Sequence, residues 1–317
     1  MDGQTLKDAK RILITGASGF TGRHACSYFR KKGFFTAASV HRRNLQESEA
    51  DQIEICNLLD KNSLDQLVKK TDPGYVLHLA AQNHVGKSWE DPSSSFEANV
   101  LSTLYLLEAL RGLKPEARVL VTGSALQSCS EDHPHPYSLT KSMQTSLARA
   151  WESLFKMDVM IAKPCNLIGP GNSNGVCSLF ASRIARMESG LEEKVLYVNS
   201  LQSSRDFLDV RDAVRAYGFI LEKGDRGGIY DISSGSSLTL GDVVGFLKAC
   251  AKTDFEVDSK SADPDSERYS LDPGKLQKLG WNPEISREQT FEDLLHYQRD
   301  ILIKEGRMSS QEQKGMS

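Results

Sequence analysis

Six cysteines are spread thinly over 317 residues, and none stands in a C-x-x-C pair. Cys26, Cys56, Cys129, Cys165, Cys177 and Cys250 have no histidine at metal-ligand spacing beside them, so neither a zinc clamp nor a redox pair is expected. Free thiols in a reducing cytoplasm are the expectation, and no metal. Positive charge is not in excess either. Thirty-nine Lys and Arg against 42 Asp and Glu leave a net charge of −3, which argues against a nucleic-acid surface. No apolar run approaches a membrane span, and Met1–Lys10 is polar, so neither a membrane nor a secretory leader is expected. Repeats are absent. His133-Pro134-His135-Pro136 has the look of a metal fragment, but its prolines favour an extended loop over a ligand site.

What is present is a globular composition, 39% hydrophobic and 26% charged. The length allows one large α/β domain with a smaller lobe, or two domains. Apolar runs alternate with helical patterns. Strands are expected at 11–15, 34–40, 52–56, 75–79, 117–122 and 158–163, and helices at 20–32, 61–71, 93–112 and 137–156. The alternation implies an α/β fold built on a doubly wound parallel sheet, a Rossmann sheet. Beyond Pro164 the pattern loosens. Residues 169–175 read as a loop, 176–190 as a helix, 194–198 and 229–232 as strands, and 239–252 and 286–303 as helices of a C-terminal lobe. The expected division is a dinucleotide-binding core over 10–165, with 205–232 returning to it. A substrate-binding lobe is expected over 166–204 and 233–303, and a disordered tail over 304–317.

Gly16-Ala17-Ser18-Gly19-Phe20-Thr21-Gly22 follows the apolar run Ile12-Leu13-Ile14 and opens a helix. The glycines allow a tight turn and close approach to a pyrophosphate, and the helix offers free N–H groups and a positive dipole end. Far downstream, Tyr137-Ser138-Leu139-Thr140-Lys141 places a phenol and an ammonium on one helical face. A free tyrosine titrates near 10, too high for efficient acid–base work, and the ammonium is expected to lower it. Ser124 lies between these motifs, after an apolar run. Open sheets bind ligands beyond the carboxyl ends of their strands, where Thr15, His41, Leu79, Ser124 and Pro164 fall.

Together these residues resemble the extended short-chain dehydrogenase/reductase family, over about residues 10 to 300. The resemblance adds His78-Leu79-Ala80-Ala81, Asn99, Lys163-Pro164-Cys165-Asn166-Leu167-Ile168-Gly169-Pro170-Gly171, Ser204-Arg205-Asp206-Phe207-Leu208-Asp209-Val210 and Gly280-Trp281-Asn282-Pro283. Its nucleotide-sugar branch is the most similar, and within it the GDP-4-keto-6-deoxy-mannose reductases. The resemblance implies Tyr137 as acid/base, Lys141 as its partner and a cofactor contact, and Ser124 as donor to the reacting oxygen. It implies cofactor contacts at Gly16, Ser18, Gly19, Phe20, Thr21, Gly22, Asn57, Leu58, Leu79, Ala80, Ala81, Asn99 and Pro164, and Arg23, just after the third glycine, is a further cofactor candidate as a positive group for an NADP phosphate. It implies sugar or phosphate contacts at Asn166 and Arg205. Arg205 reads equally as a salt bridge to Asp206 or Asp209. Where relatives carry Arg-Pro in the C-terminal lobe this chain has Asp263-Pro264, and Arg268 is the candidate to compensate. Asn57 stands where relatives have Asp, and its amide oxygen can still accept from an adenine amino group. Ser128-Cys129 replaces a common Tyr-Gly pair, and the Ser124-to-Tyr137 stretch is shorter than usual.

The second strand ends Ser39-Val40-His41-Arg42-Arg43, with two arginines and no acid. An acid there serves the NAD ribose and a cation serves the NADP phosphate, so NADP(H) is expected over NAD(H). Ala125 and Leu126 follow Ser124, where the dehydratases of the family carry acids. The expectation is therefore an NADPH-dependent reductase of a nucleotide-bound 4-keto-6-deoxy sugar. An NAD-retaining 4-epimerase, a 4,6-dehydratase and a catalytically silent cofactor-binding partner are the alternatives. The resemblance also implies a homodimer, with Leu101, Leu104, Leu106 and Leu107 giving helix 93–112 an apolar face; packing on the sheet would use the same face.

Overall fold

The computed structural model describes residues 10–42, 45–127, 133–261 and 271–306. The chain opens with β1 (Arg11–Thr15), α1 (Phe20–Lys31), β2 (Phe35–Val40), β3 (Gln52–Ile55), α2 (Lys61–Thr71) and β4 (Tyr75–His78). Two short helices, α3 (Val85–Glu90) and α4 (Pro92–Phe96), lead through a π-helical turn (Glu97–Leu101) into α5 (Ser102–Leu113). Next come β5 (Arg118–Thr122), α6 (Pro136–Phe155), β6 (Val159–Pro164), β7 (Asn166–Ile168), α7 (Val176–Glu188), β8 (Val195–Ser200) and β9 (Ser204–Asp209). The last elements are α8 (Val210–Lys223), β10 (Ile229–Ile232), β11 (Ser237–Thr239), α9 (Leu240–Cys250), β12 (Glu256–Ser261), α10 (Gly274–Gln277) and α11 (Arg287–Lys304).

These form two compact units. The first takes the chain up to Pro164, then Ala213–Ile232 and Asp272–Asn282. Its seven strands run in the order β10-β6-β5-β4-β1-β2-β3, every neighbour parallel. Strand order reverses at β1, between β2 and β4, which makes the end of β1 the topological switch point. Ile12, Leu13 and Ile14, like Val119, Leu120 and Val121, have no exposed surface, as strands covered on both faces require. Leu106, Leu107 and Leu110 of α5 pack with Leu64, Leu67 and Val68 of α2 against the sheet. Each such leucine contributes about 1.5–3 kcal/mol by burial. Of the four leucines expected to form an apolar face on helix 93–112, Leu106 and Leu107 are fully buried on the sheet, while Leu101 and Leu104 are half-buried. Helix α6 exposes four apolar side chains, Leu139, Met143, Leu154 and Phe155, and others are exposed elsewhere, Ile55, Trp89 and Leu179 among them.

The single helix expected over 93–112 is three pieces. Asp91 caps α4, accepting from the Ser94 N–H at 2.9 Å, and Pro92 starts it. The π turn then adds a residue to the winding, and Asn99 and Thr103 both come to lie fully buried.

The second unit comprises Cys165–Asp212, Ser233–Leu271 and the chain from Pro283 on. In it β9 pairs antiparallel with β11 and parallel with β7, and β8 pairs parallel with β12. Phe180, Ile184, Leu247, Phe291, Leu294 and Leu295, from α7, α9 and α11, form its core. Within that core Arg299 holds Glu188 by two 2.7 Å hydrogen bonds and donates to the Cys250 carbonyl at 2.9 Å. Strands β7, β9, β11 and β12 and helices α3, α8 and α10 are the elements the sequence pattern left unassigned. Among the described residues no helix is long and apolar enough to cross a membrane. Cys26, Cys56, Cys165, Cys177 and Cys250 are free thiols. Cys129, and the tail from residue 307 on, lie outside the described residues.

Candidate active site

The glycine turn leaves β1 at the switch point. Gly16 has φ +67°, and a Cβ there would stand 2.8 Å from the Ala80 nitrogen at the end of β4. Gly19 donates its N–H to the Gly16 carbonyl at 3.0 Å and then serves as N-cap of α1, with no side-chain acceptor. The first turn of α1 holds no acid. A Cβ on Gly19 would meet only the Gly16 carbonyl, at 3.2 Å, so its outer side is open. Uncapped N–H groups, a positive helix end and an open glycine fit a pyrophosphate. Ser18, Phe20 and Thr21 are half-buried along this turn, and Leu79, Ala80 and Ala81 half-buried beside it. Asn99 is a clamp: its Oδ1 accepts from the Gln82 N–H at 2.8 Å, and its Nδ2 donates to the Gln82 carbonyl at 3.0 Å and to Thr140 Oγ1 at 2.9 Å.

The Ala17 N–H reaches the Ser39 carbonyl at 3.3 Å, which brings the end of β2 to the turn. Arg42 is exposed there, and Arg43 lies outside the described residues. Arg23 is already engaged, donating to the Ser18 carbonyl at 3.2 Å and pairing with Glu49. Glu49 is an acid that reading the strand end alone did not bring to this site; it sits in the loop before β3, where spacing from the glycines gives no signal. Asn57 is exposed, its Oδ1 accepting from the Leu59 N–H at 3.1 Å, and Leu58 packs against the sheet core.

Helix α6 begins one residue inside the fragment expected to be an extended loop. His135 is extended and caps the helix, its Nδ1 accepting from the Ser138 N–H at 2.9 Å, and Pro136 is the first helical residue. Tyr137 is buried, its ring stacked on His135 at 5.9 Å between centroids and its N–H donating to Ser88 Oγ at 3.1 Å. The Ser124 hydroxyl hydrogen-bonds to the phenol, and Ser124 Oγ accepts from the Leu126 N–H at 3.1 Å. Burial pushes the phenol above its ordinary value, and the Ser124 bond pulls it back in part. The ammonium was expected to lower it. Instead Lys141 Nζ donates to the Thr122 carbonyl and to Gln144 Oε1, each at 2.7 Å. Burial brings that ammonium down to about 7. Pro164 ties β6 to this site, its carbonyl accepting from the Ala125 N–H at 3.0 Å.

In the second unit, Asn166 on β7 donates to the Asp206 carbonyl at 3.1 Å, and Arg205 is half-buried on β9. The Asp206 carboxylate accepts from Ser234 Oγ at 2.6 Å. The Asp209 carboxylate accepts from Arg211 at 2.7 Å and from Thr290 at 2.9 Å. Arg268 and Asp263-Pro264 lie outside the described residues.

The pattern of the NAD dependent epimerase/dehydratase family matches residues 12–233. The chain belongs to that family. GDP-6-deoxy-D-mannose reductase of Pseudomonas aeruginosa is 30% identical over 304 residues, 90% of this chain and 96% of that protein. The structure of RMD from Pseudomonas aeruginosa complexed with NADPH superposes with a TM-score of 0.81 at 28% identity, over 92% of this chain and 98% of its own. The dTDP-glucose 4,6-dehydratase of Haemophilus influenzae is 26% identical over 324 residues, 88% of this chain and 94% of that protein. As a family member the chain is an oxidoreductase-type enzyme of nucleotide-sugar chemistry with a nicotinamide cofactor. The glycine turn, with its open Gly19 and uncapped helix end, fits such a cofactor.

Proposed function

We propose that this chain is an NADPH-dependent reductase of a nucleotide-bound 4-keto-6-deoxy sugar. The observation that carries the reading is the pair Ala125 and Leu126 directly after Ser124. Dehydration needs an acid to protonate the departing hydroxyl and a base to take a proton from the sugar; a methyl and an isobutyl group can do neither. The likeness to a GDP-6-deoxy-D-mannose reductase supports the same choice.

Reduction asks less of the protein. A reduced nicotinamide, when bound, supplies the hydride. Ser124 and Tyr137 hold the carbonyl oxygen with two hydrogen bonds as negative charge develops on it. Tyr137, kept protonated by burial, then gives its proton to that oxygen. Lys141 supplies positive charge beneath the cofactor ribose. Gly16, Gly19 and Gly22 line the pyrophosphate, with Ser18, Phe20 and Thr21 along it, while Leu79, Ala80, Ala81 and Pro164 pack near the ribose and nicotinamide. Arg42, with Arg43 after it and no acid before, favours the 2′-phosphate of NADPH, and Asn57 and Leu58 flank the adenine. Asn166, Arg205 and Arg268 are assigned to the sugar and its diphosphate. The apolar side chains exposed on α6 support a homodimer.

The test is NADPH oxidation with a panel of nucleotide-bound 4-keto-6-deoxy sugars, followed by mass spectrometry of the product. Stoichiometric NADPH consumption with a mass gain of two hydrogens is expected. Loss of one water from the parent nucleotide hexose without net cofactor consumption makes the enzyme a dehydratase. Interconversion of two sugars of equal mass with the cofactor retained makes it an epimerase.

A further inference from the structure

Beneath Lys141 runs a line of buried polar side chains for which the proposed chemistry has no direct use. His78, the last residue of β4, is fully buried. Its imidazole is lowered to about 3, by burial first and then by the Lys141 charge, so it is neutral. Its Nδ1 faces Thr15 Oγ1 at 2.8 Å and its Nε2 faces Thr103 Oγ1 at 2.8 Å. Thr103 has one hydroxyl proton, which goes to the Asn99 carbonyl one turn back, at 2.8 Å. The same oxygen accepts from Gln144 Nε2 at 2.8 Å. Thr103 can therefore only accept from His78, and the imidazole proton sits on Nε2. Nδ1 then accepts from the Thr15 hydroxyl, whose oxygen takes the Ala80 N–H at 3.2 Å. In this arrangement every one of these contacts has one donor and one acceptor. The opposite tautomer aims both the imidazole N–H and the Ala80 N–H at Thr15 and strips Asn99 of the Thr103 proton.

The consequence falls on Gln144. With its NH2 committed to Thr103, its Oε1 is the atom presented to Lys141 Nζ, at 2.7 Å. A flipped amide would set NH2 against the ammonium. The second bond of the ammonium goes to the Thr122 carbonyl at 2.7 Å, which leaves one of its three donors for a ligand. We propose that Gln144 is a positioning residue for Lys141: its amide oxygen, fixed in direction by Thr103 and His78, holds the ammonium where the cofactor needs it. The inference rests on reading Lys141 as a cofactor-binding residue.

The titratable group that interacts with Lys141 is His78 from β4, while β5 offers the Thr122 carbonyl and its own helix the Gln144 amide oxygen. Burial lowers the ammonium, and among the described residues no carboxylate opposes it. Cofactor affinity is then expected to weaken as pH rises through the Lys141 titration. The test is titration with NADPH, and with NADH in parallel, from about pH 6 to about pH 9, on the wild type, Lys141→Ala, Gln144→Met and Gln144→Glu. Gln144→Met removes the acceptor but keeps the length, so affinity at neutral pH should fall about tenfold, and the alkaline loss should move to lower pH. Gln144→Glu keeps an acceptor and adds negative charge; Thr103 can turn its hydroxyl to the carboxylate. That variant should retain affinity and move the loss about one unit to higher pH. A purely structural role would weaken binding equally at every pH with the midpoint unmoved, and that result overturns the proposal. If Gln144→Met does not fold, the midpoint of Gln144→Glu decides alone. Lys141→Ala losing affinity while both Gln144 variants match the wild type sinks this proposal only. Lys141→Ala binding both nucleotides like the wild type sinks it together with the cofactor role of Lys141.

Discussion

Gly22→Ala tests the glycine turn against the general preference of helices for alanine. A Cβ at position 22 would stand 2.2 Å from the Gly16 carbonyl oxygen and 2.7 Å from the Ala17 carbonyl carbon and Cα. All three are backbone atoms, so no side chain can swing aside. Carbon prefers contacts of about 3.5–4 Å, and relief requires α1 to draw back from the turn or the turn to open. Overpacking of this kind costs about 1–3 kcal/mol, while alanine in place of helical glycine returns about 1 kcal/mol. Gly245→Ala in α9 is the control, because its Cβ would meet nothing within 4 Å. It gains the helical preference, about 1 kcal/mol, without strain. The difference between the two variants therefore isolates the strain of the turn. Urea midpoints should place Gly245→Ala above the wild type and Gly22→Ala below that control by about 1–3 kcal/mol. NADPH titration should show weakened binding for Gly22→Ala alone, because the displaced atoms belong to the turn assigned to the pyrophosphate. Equal midpoints and equal affinities for the two variants would show that the close packing at Gly22 is not limiting.

Tyr137→Phe should lower kcat by about 10²–10⁴-fold while NADPH affinity, read by nucleotide fluorescence, stays near that of the wild type; wild-type turnover removes Tyr137 from the chemistry. Arg42→Ala should reduce kcat/KM for NADPH about tenfold and spare NADH. Glu49→Gln, which releases Arg23 from its carboxylate partner, should strengthen NADPH binding without changing NADH binding; an effect on both nucleotides alike would refute the charge argument. The last concerns pH. Lys141 titrates at about 7 when folded and near 10.4 when unfolded. Between those values the unfolded chain binds the extra proton, so stability rises with pH. The stability of the wild type relative to Lys141→Met should accordingly increase across that interval, by up to about 1.4 kcal/mol per unit; a flat difference in urea unfolding would show that the buried ammonium keeps its ordinary affinity for protons.

The core of the first unit was legible because its signals are local. Ile12-Leu13-Ile14, the glycines and the alternation of runs and stripes need only the neighbouring residues to be read. The π turn was not legible. Nothing in Glu97-Ala98-Asn99-Val100-Leu101 breaks a helical pattern, and the irregularity pays off only when Asn99 meets Gln82 and Thr140, far away in sequence. Helix α8 was readable in principle. Val210, Ala213, Val214, Tyr217, Ile220 and Leu221, all buried, form a helical stripe that the charges of Ser204–Asp212 draw attention away from. In the site, the pairing of Tyr137 with Lys141 on one helical face followed from spacing, but the direction of the ammonium did not. That depends on Gln144 and on the Thr122 carbonyl, and an amide three residues on looks like any polar helix residue until Thr103 and His78 are seen behind it.

Family membership leaves the reaction open, because reduction, epimerisation and dehydration can share a serine, a tyrosine and a lysine. What separates them is the proton state in which the site waits and the groups that stand beside the serine. Epimerisation and dehydration both begin by oxidising the sugar, so the tyrosine must start as a base. Reduction begins with a carbonyl, and the tyrosine must start as an acid. Burial raises the Tyr137 phenol above its ordinary value, and the Lys141 ammonium is turned to Thr122 and Gln144. The backbone N–H groups of Ala125 and Leu126 are already bonded, to the Pro164 carbonyl and to Ser124 Oγ. Positions 125 and 126 therefore bring to the site no proton donor of their own, from side chain or backbone. A carbonyl presented to Ser124 and Tyr137 meets two hydroxyl donors. The reduction of a keto sugar proposed above is the reading that asks for hydroxyl donors at Ser124 and Tyr137 and for no acid at positions 125 and 126.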